Sequence, residues 1–268
     1  MRRFAGLSLL ATASVAALTA TPAQAATTGV ASVVETMKVV YKAAQGKQNK
    51  VVVTRSGRTI IIDDVVAVKA GKGCAAVKGD KTKVRCTPKK DPTWIRVYTY
   101  DRNDSITNKS GLGGTLDGGS AKDSIVGGPR GERLTGGTGN DKIWANGGND
   151  TIWGGDGSDL VHGGAGDDDI IEESHNPQSG NDWLYGDDGH DHLNGDAGAD
   201  HLYGGNDEDF LSGDRGADVL SGGYGNDIVF ADEDFAPVTK DAMDGGPGLD
   251  DCRGDKPDKK VNCEGRTF

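Results

Sequence analysis

The apolar residues of this chain follow three successive patterns. Phe4 to Ala20 is one largely apolar run behind the basic start Met1-Arg2-Arg3. Ala26 to Tyr100 holds short β-prone runs, Val51-Val52-Val53, Thr59-Ile60-Ile61-Ile62 and Trp94-Ile95-Arg96-Val97, among charged and turn residues. From Gly118 to Phe230 one branched aliphatic recurs every nine residues, with polar neighbours on both sides and glycines between. That spacing predicts three-residue strands, each with one inward side chain, joined by glycine turns.

Written in blocks of nine, Gly118 to Ile171 reads GGSAKDSIV, GGPRGERLT, GGTGNDKIW, ANGGNDTIW, GGDGSDLVH, GGAGDDDII. Five residues, Glu172 to Asn176, interrupt. Pro177 to Phe230 resumes as PQSGNDWLY, GDDGHDHLN, GDAGADHLY, GGNDEDFLS, GDRGADVLS, GGYGNDIVF. A degenerate copy, Gly245 to Arg253, reads GGPGLDDCR and puts Cys252 in the aliphatic slot. In all twelve main copies the sixth residue is acidic: Asp123, Glu132, Asp141, Asp150, Asp159, Asp168, Asp182, Asp191, Asp200, Asp209, Asp218 and Asp227. The eighth is always a branched aliphatic, from Ile125 to Val229. The fourth is glycine except at Ala121, Arg130 and Asp207. Composition bias does not hold two chemically opposite columns in phase over 113 residues.

One aliphatic in nine cannot build a core alone. Coiling the chain so that two copies make one turn stacks these residues into a seam between two short parallel sheets, with copy n over copy n+2 at about 4.8 Å. The acidic column then stacks along each edge, where carboxylates at strand spacing repel. A hard divalent cation with flexible, all-oxygen coordination resolves the repulsion. Ca²⁺ fits better than Mg²⁺, which demands a tighter octahedron and keeps its waters.

The copies resemble the haemolysin-type (RTX) calcium-binding nonapeptide repeat, GGxGxDxUx. The resemblance implies an all-β fold, a parallel β-roll whose GGxGxD turns bind several Ca²⁺ ions through aspartate carboxylates and turn carbonyls. The copies nearest the pattern carry Asp141, Asp150, Asp159, Asp168, Asp191, Asp200, Asp218 and Asp227, with Asp123, Asp182 and Asp209 in less regular turns. Second-position Asp187, Asp196 and Asp214 add carboxylates on the turns. Candidate carbonyls lie around Gly137, Gly139, Gly148, Gly155, Gly157, Gly164, Gly166, Gly189, Gly198, Gly216, Gly223 and Gly225. The rest of the chain more loosely resembles small secreted actinobacterial calcium-binding proteins with a disulfide-bearing β segment before the roll.

Charge divides the chain. Ala26 to Tyr100 has 15 Lys/Arg against 5 Asp/Glu, a net of +10, whereas Gly118 to Phe230 has 5 against 23, a net of −18. About eight dications would nearly neutralise the second segment. The first reads as a solvated polar face rather than a nucleic-acid surface, because its basic residues are scattered. The opening run, ending at Thr21-Pro22-Ala23-Gln24-Ala25, reads as a cleaved export signal rather than a membrane span. Many RTX proteins use a C-terminal signal and a type I exporter; the N-terminal signal here departs from that route. Four cysteines in an exported chain predict disulfides, and among three connectivities Cys74–Cys86 with Cys252–Cys263 needs the least loop closure.

The expected organisation is a signal peptide (1–25), a small disulfide-stapled β module (26–100), the calcium β-roll (101–251) and a C-terminal cap (252–268). Neither Gly-x-Ser-x-Gly nor HExxH occurs, and the five histidines all lie at or after His162. The expectation is a secreted, monomeric, non-catalytic protein whose roll folds on Ca²⁺. Two alternatives stay open. One is a polysaccharide-acting enzyme using the solenoid surface. The other is binding of a cell-wall glycan or protein by an exposed row formed by Trp144, His162, Tyr185 and Tyr203.

Overall fold

The structure, a computed structural model, describes residues 28–172, 180–231, 240–254 and 258–264. The expected signal peptide lies outside the described residues. Among them the regular elements are strands, gathered into two sheets of 12 and 13. Consecutive copies alternate between the sheets, and each strand pairs in parallel with the one two copies on. In one sheet Leu134 lies over Ile152 and Ile152 over Ile170. In the other Ile143 lies over Val161 and Val161 over Leu184.

The two sheets enclose a single file of buried side chains running from Leu116 and Ile125 through Val229 to Met243. Full burial of one such aliphatic contributes roughly 1.5–3 kcal/mol. The seam is thin, so stability accumulates rung by rung through nearest neighbours.

Both sheets cross Tyr100 without a break. Trp94–Tyr98 pairs in parallel with Gly113–Ser120 on one side and Lys38–Lys42 on the other. Ser105–Lys109 sits likewise between Ser124–Val126 and Lys50–Ser56. The coil thus begins inside the basic segment, and only its outer strands turn antiparallel. Gly29–Val34 pairs with Lys38–Lys42, while Lys50–Ser56, Thr59–Asp63, Asp80–Cys86 and Cys74–Val77 follow one another across the other sheet. Such a hairpin layer covers the edge that a bare parallel coil would expose.

Each end carries a disulfide. Cys74 stands directly opposite Cys86 in the outermost hairpin and is bonded to it. At the other end Cys252, on the edge strand Asp251–Arg253, is bonded to Cys263, just past the opposite edge strand Lys259–Val261. Cys252 fills the aliphatic slot as expected, over Val229.

Candidate metal centre

The acidic column is interior. Eleven of the twelve sixth-position acids, all but Glu132, were expected as ligands, and all twelve are buried, between 0 and 4 % exposed. Each is held by the rung before it. The backbone N–H of Asp123 donates to Oδ1 of Asp141 at 2.7 Å, Asp141 to Asp159 at 2.7 Å, Asp159 to Asp182 at 2.7 Å and Asp182 to Asp200 at 2.8 Å. A second ladder climbs the opposite edge, from Glu132 through Asp150, Asp168, Asp191 and Asp209 to Asp227.

The ladders outrun the glycine repeat. Asn49 donates to Asp104, Asp104 to Asp123, Asp218 to Asp241 and Asp241 to Asp258. On the other edge Asp227 donates to Asp250 and Asp250 to Glu264. Asp250 belongs to the degenerate copy Gly245 to Arg253; the other rungs were hidden because no paired glycines precede them. Acid-x-aliphatic spacing alone, Asp104-Ser105-Ile106 and Asp241-Ala242-Met243, would have shown two of them.

Only one carboxylate oxygen is used by the ladder. Oδ2 of Asp123, Asp141, Asp150, Asp159, Asp168, Asp182, Asp191, Asp200, Asp209 and Asp227 is buried without a hydrogen-bond partner. A buried, unsatisfied carboxylate oxygen is expensive unless something positive meets it. Burial is the first cause that raises these groups, with neighbouring carboxylates adding less. Asp123, Asp150, Asp159, Asp200 and Asp209 are pushed up to about 8, Asp168 to about 7, and Asp141, Asp182, Asp191 and Asp227 to about 6, each despite the N–H bond that lowers it. Desolvation, more than the repulsion inferred from strand spacing, is the cost a cation would relieve.

The free oxygen points at a first-position glycine and at a carbonyl of the next rung. A Cβ on Gly136 would lie 2.5 Å from Asp141 Oδ2 and 2.6 Å from the Gly154 carbonyl oxygen; on Gly118 it would lie 2.5 Å from Asp123 Oδ2 and 2.9 Å from the Gly136 carbonyl. Glycine is required there because the space belongs to oxygens. No three His, Cys, Asp or Glu side chains gather into a preformed cage among the described residues. The donor set is therefore one or two carboxylates with backbone carbonyls, the hard-oxygen chemistry that suits Ca²⁺ at roughly 2.3–2.6 Å.

The other expected ligands are the second-position aspartates. Asp187, in left-handed backbone at φ 78°, meets the His162 ring at 3.1 Å, and Asp214 accepts from Asn194 and Ser212. Asp196, also left-handed, donates its N–H to the Asn194 side chain. Second- and fourth-position carbonyls such as those of Gly137, Gly139, Gly148, Gly166 and Gly223 face the glycine one rung on, while first-position carbonyls face the carboxylates. Glu132 has both oxygens occupied, by Asn108 and the Gly128 N–H, so its turn offers no free donor.

This fold and donor arrangement define an all-β solenoid with a column of oxygen sites along each edge. The sequence model of the RTX calcium-binding nonapeptide repeat matches the chain in four stretches, residues 126–161, 135–170, 178–211 and 203–235. The chain thus carries RTX repeats, calcium-binding elements that take several Ca²⁺ ions. No curated protein matches the chain.

Proposed function

We propose that this is a secreted calcium-responsive scaffold whose roll is completed by Ca²⁺ at its turns, with a structural or interaction role and no chemistry of its own. The buried, half-satisfied aspartate column carries the reading. Bound Ca²⁺ supplies the positive charge that the enclosed carboxylates lack; the chain's part is to hold each Oδ1 on a backbone N–H and aim Oδ2 at the next rung's carbonyl. The site residues proposed are Asp123, Asp141, Asp150, Asp159, Asp168, Asp182, Asp191, Asp200, Asp209, Asp218 and Asp227. Calcium-poor surroundings would leave the acidic segment poorly compacted, and calcium-rich surroundings outside the cell would fold it. The two disulfides suit an oxidising compartment. Calorimetric titration of the mature chain with Ca²⁺, alongside circular dichroism, tests this. Several ions with a coil-to-strand change are expected, and a chain equally folded and heat-resistant in chelator refutes it.

A second reading rests on the outer face of one sheet. The His162 ring stacks on Tyr185 at 4.4 Å and Tyr185 on Tyr203 at 4.9 Å, with Trp183 over His201 at 4.1 Å alongside. Trp144 is in register with His162. Tyr203 also lines a shallow groove of ≈ 550 Å³ with Tyr224, Asp187, Asp188 and Asn206. Flat rings beside hydrogen-bonding groups suit sugar recognition. Loss of cell-wall glycan binding in Trp144→Ala with Tyr185→Ala, with calcium binding kept, supports this role; unchanged glycan binding removes it.

A further inference from the structure

Glu172 and Ala231 occupy the same place in two successive long turns. Each is the first residue after a strand, Asp169–Ile171 and Ile228–Phe230. Each donates its N–H to the last residue of the strand two copies on, Glu172 to Asn194 at 3.1 Å and Ala231 to Arg253 at 2.9 Å. Each is fully buried. The step along both ladders lengthens from 18 to 23 residues at each turn: Asp159 to Asp182 and Asp168 to Asp191 at the first, Asp218 to Asp241 and Asp227 to Asp250 at the second. Ala231 shows that the backbone of such a turn needs no side chain beyond a methyl group. A buried glutamate at Glu172 is therefore not a requirement of the fold.

The Glu172 carboxylate lies where the regular turns keep their oxygen-lined space. On Gly136 an added Cβ would meet Asp141 Oδ2 and a carbonyl; on Gly154 it would run into both carboxylate oxygens of Glu172. One of these accepts the Gly155 N–H at 2.8 Å, and the other is buried without a partner. Burial first, and then the charges of Asp182 and Asp159, hold the Glu172 carboxyl above the usual range. Oδ2 of Asp159 and of Asp182 is likewise unpartnered.

We infer that Glu172 is a cation ligand from outside the repeat, which joins Asp159, the acid of the Gly154 turn, in a Ca²⁺ site at the first long turn. The inference rests on the proposed calcium function and extends it to a residue that the nonapeptide pattern does not contain. A side-chain carboxylate here adds a full charge where other turns have only a carbonyl dipole, so this site is the most anionic of its edge. A hard dication is the ligand class that two enclosed carboxylates accept.

The test is calcium titration by calorimetry of the full mature chain, wild type against Glu172→Ala and Glu172→Gln, with hydrogen exchange read in Ca²⁺. Both variants are expected to bind one ion fewer, or to weaken one site at least tenfold. Protection should fall around Gly155 and residues 180–185 but persist around Val219–Tyr224. Glutamine keeps the side chain's size and its acceptor for Gly155, so it separates charge from packing. Unchanged stoichiometry and affinity in Glu172→Gln overturn the inference, as does tighter or additional binding in Glu172→Ala, which would make Glu172 a plug. A wild-type chain that binds no Ca²⁺ instead refutes the calcium function itself.

Discussion

The backbone N–H of Asp159 donates to Oδ1 of Asp182 at 2.7 Å, the same distance as between Asp141 and Asp159, although 23 residues separate the first pair and 18 the second. The inserted residues leave the rung spacing unchanged. Lengthening a turn by five residues costs little loop entropy, whereas losing the ladder would strand a buried amide and a carboxylate. The ladder therefore sets the register across both insertions.

The first consequence concerns pH. In the metal-free fold Asp123, Asp150, Asp159, Asp200 and Asp209 are raised to about 8 from 3.8. A raised carboxyl stabilises the folded state fully below its unfolded value and loses that contribution as pH climbs through the folded value. In chelator the roll should be most stable near pH 4 and lose stability between about pH 4 and 8. With Ca²⁺ the sign reverses, because binding needs the deprotonated form: affinity should fall as pH drops from 8 towards 6. Thermal melts across pH with and without chelator measure both slopes, and parallel slopes would contradict the picture.

Asp200 separates the two uses of one carboxylate. Its Oδ1 accepts the Asp182 N–H at 2.8 Å, while Oδ2 is buried and unpartnered. Asp200→Asn keeps the acceptor and removes the charge, so the chelated protein should become more stable at pH 8 while calcium binding drops by one site. Asp200→Ala strands the Asp182 amide and should cost about 1–3 kcal/mol in either condition. Chemical denaturation of both variants, with and without Ca²⁺, gives the comparison; equal effects of the two substitutions would count against the ladder bond, and unchanged calcium binding in Asp200→Asn against a metal-facing oxygen.

The in-phase columns, with Asp141 two residues before Ile143 in every copy, made the two-sheet coil and its n-to-n+2 register readable from the chain. What they did not reveal has physical causes. Asp104 and Asp241 keep the acid and the aliphatic but not the glycines, so the nonapeptide pattern passes over them. Glu172 looked like part of an interruption, since nothing local shows that an inserted residue returns to a buried first position. The enclosure of the aspartates was also hidden: spacing shows that carboxylates stack, but only the packed turn shows which oxygen water can reach.

Gly136→Ala tests the oxygen pocket directly. The new methyl would lie 2.5 Å from Asp141 Oδ2 and 2.6 Å from the Gly154 carbonyl, neither of which is a flexible chain end. The variant should lose the calcium site of that turn and melt earlier in Ca²⁺. Gly57→Ala is the control: its φ is 57° but an added Cβ meets nothing within 4 Å, so only backbone strain of about 1–2 kcal/mol is expected, with stoichiometry intact. Equal calcium binding by both variants would show that the space beside Asp141 is not where the ion's donors meet.

The C-terminal disulfide should protect the end of the coil and little else. Cys252 and Cys263 are 11 residues apart and tie the two edge strands together. Closing so short a loop stabilises by about 3 kcal/mol through the unfolded chain. In a solenoid that loss stays near the break, because each rung touches only its neighbours. Cys252→Ser with Cys263→Ser should speed hydrogen exchange at the amides of Asp251 and Lys259, which bond to Asp227 and Asp241 at 2.9 Å each. Amides of the central rungs, such as Leu160 and Thr151, should exchange as in the parent protein. Uniform acceleration along the whole coil would mean that the roll unfolds as one cooperative unit, with its last rung setting the stability of the rest.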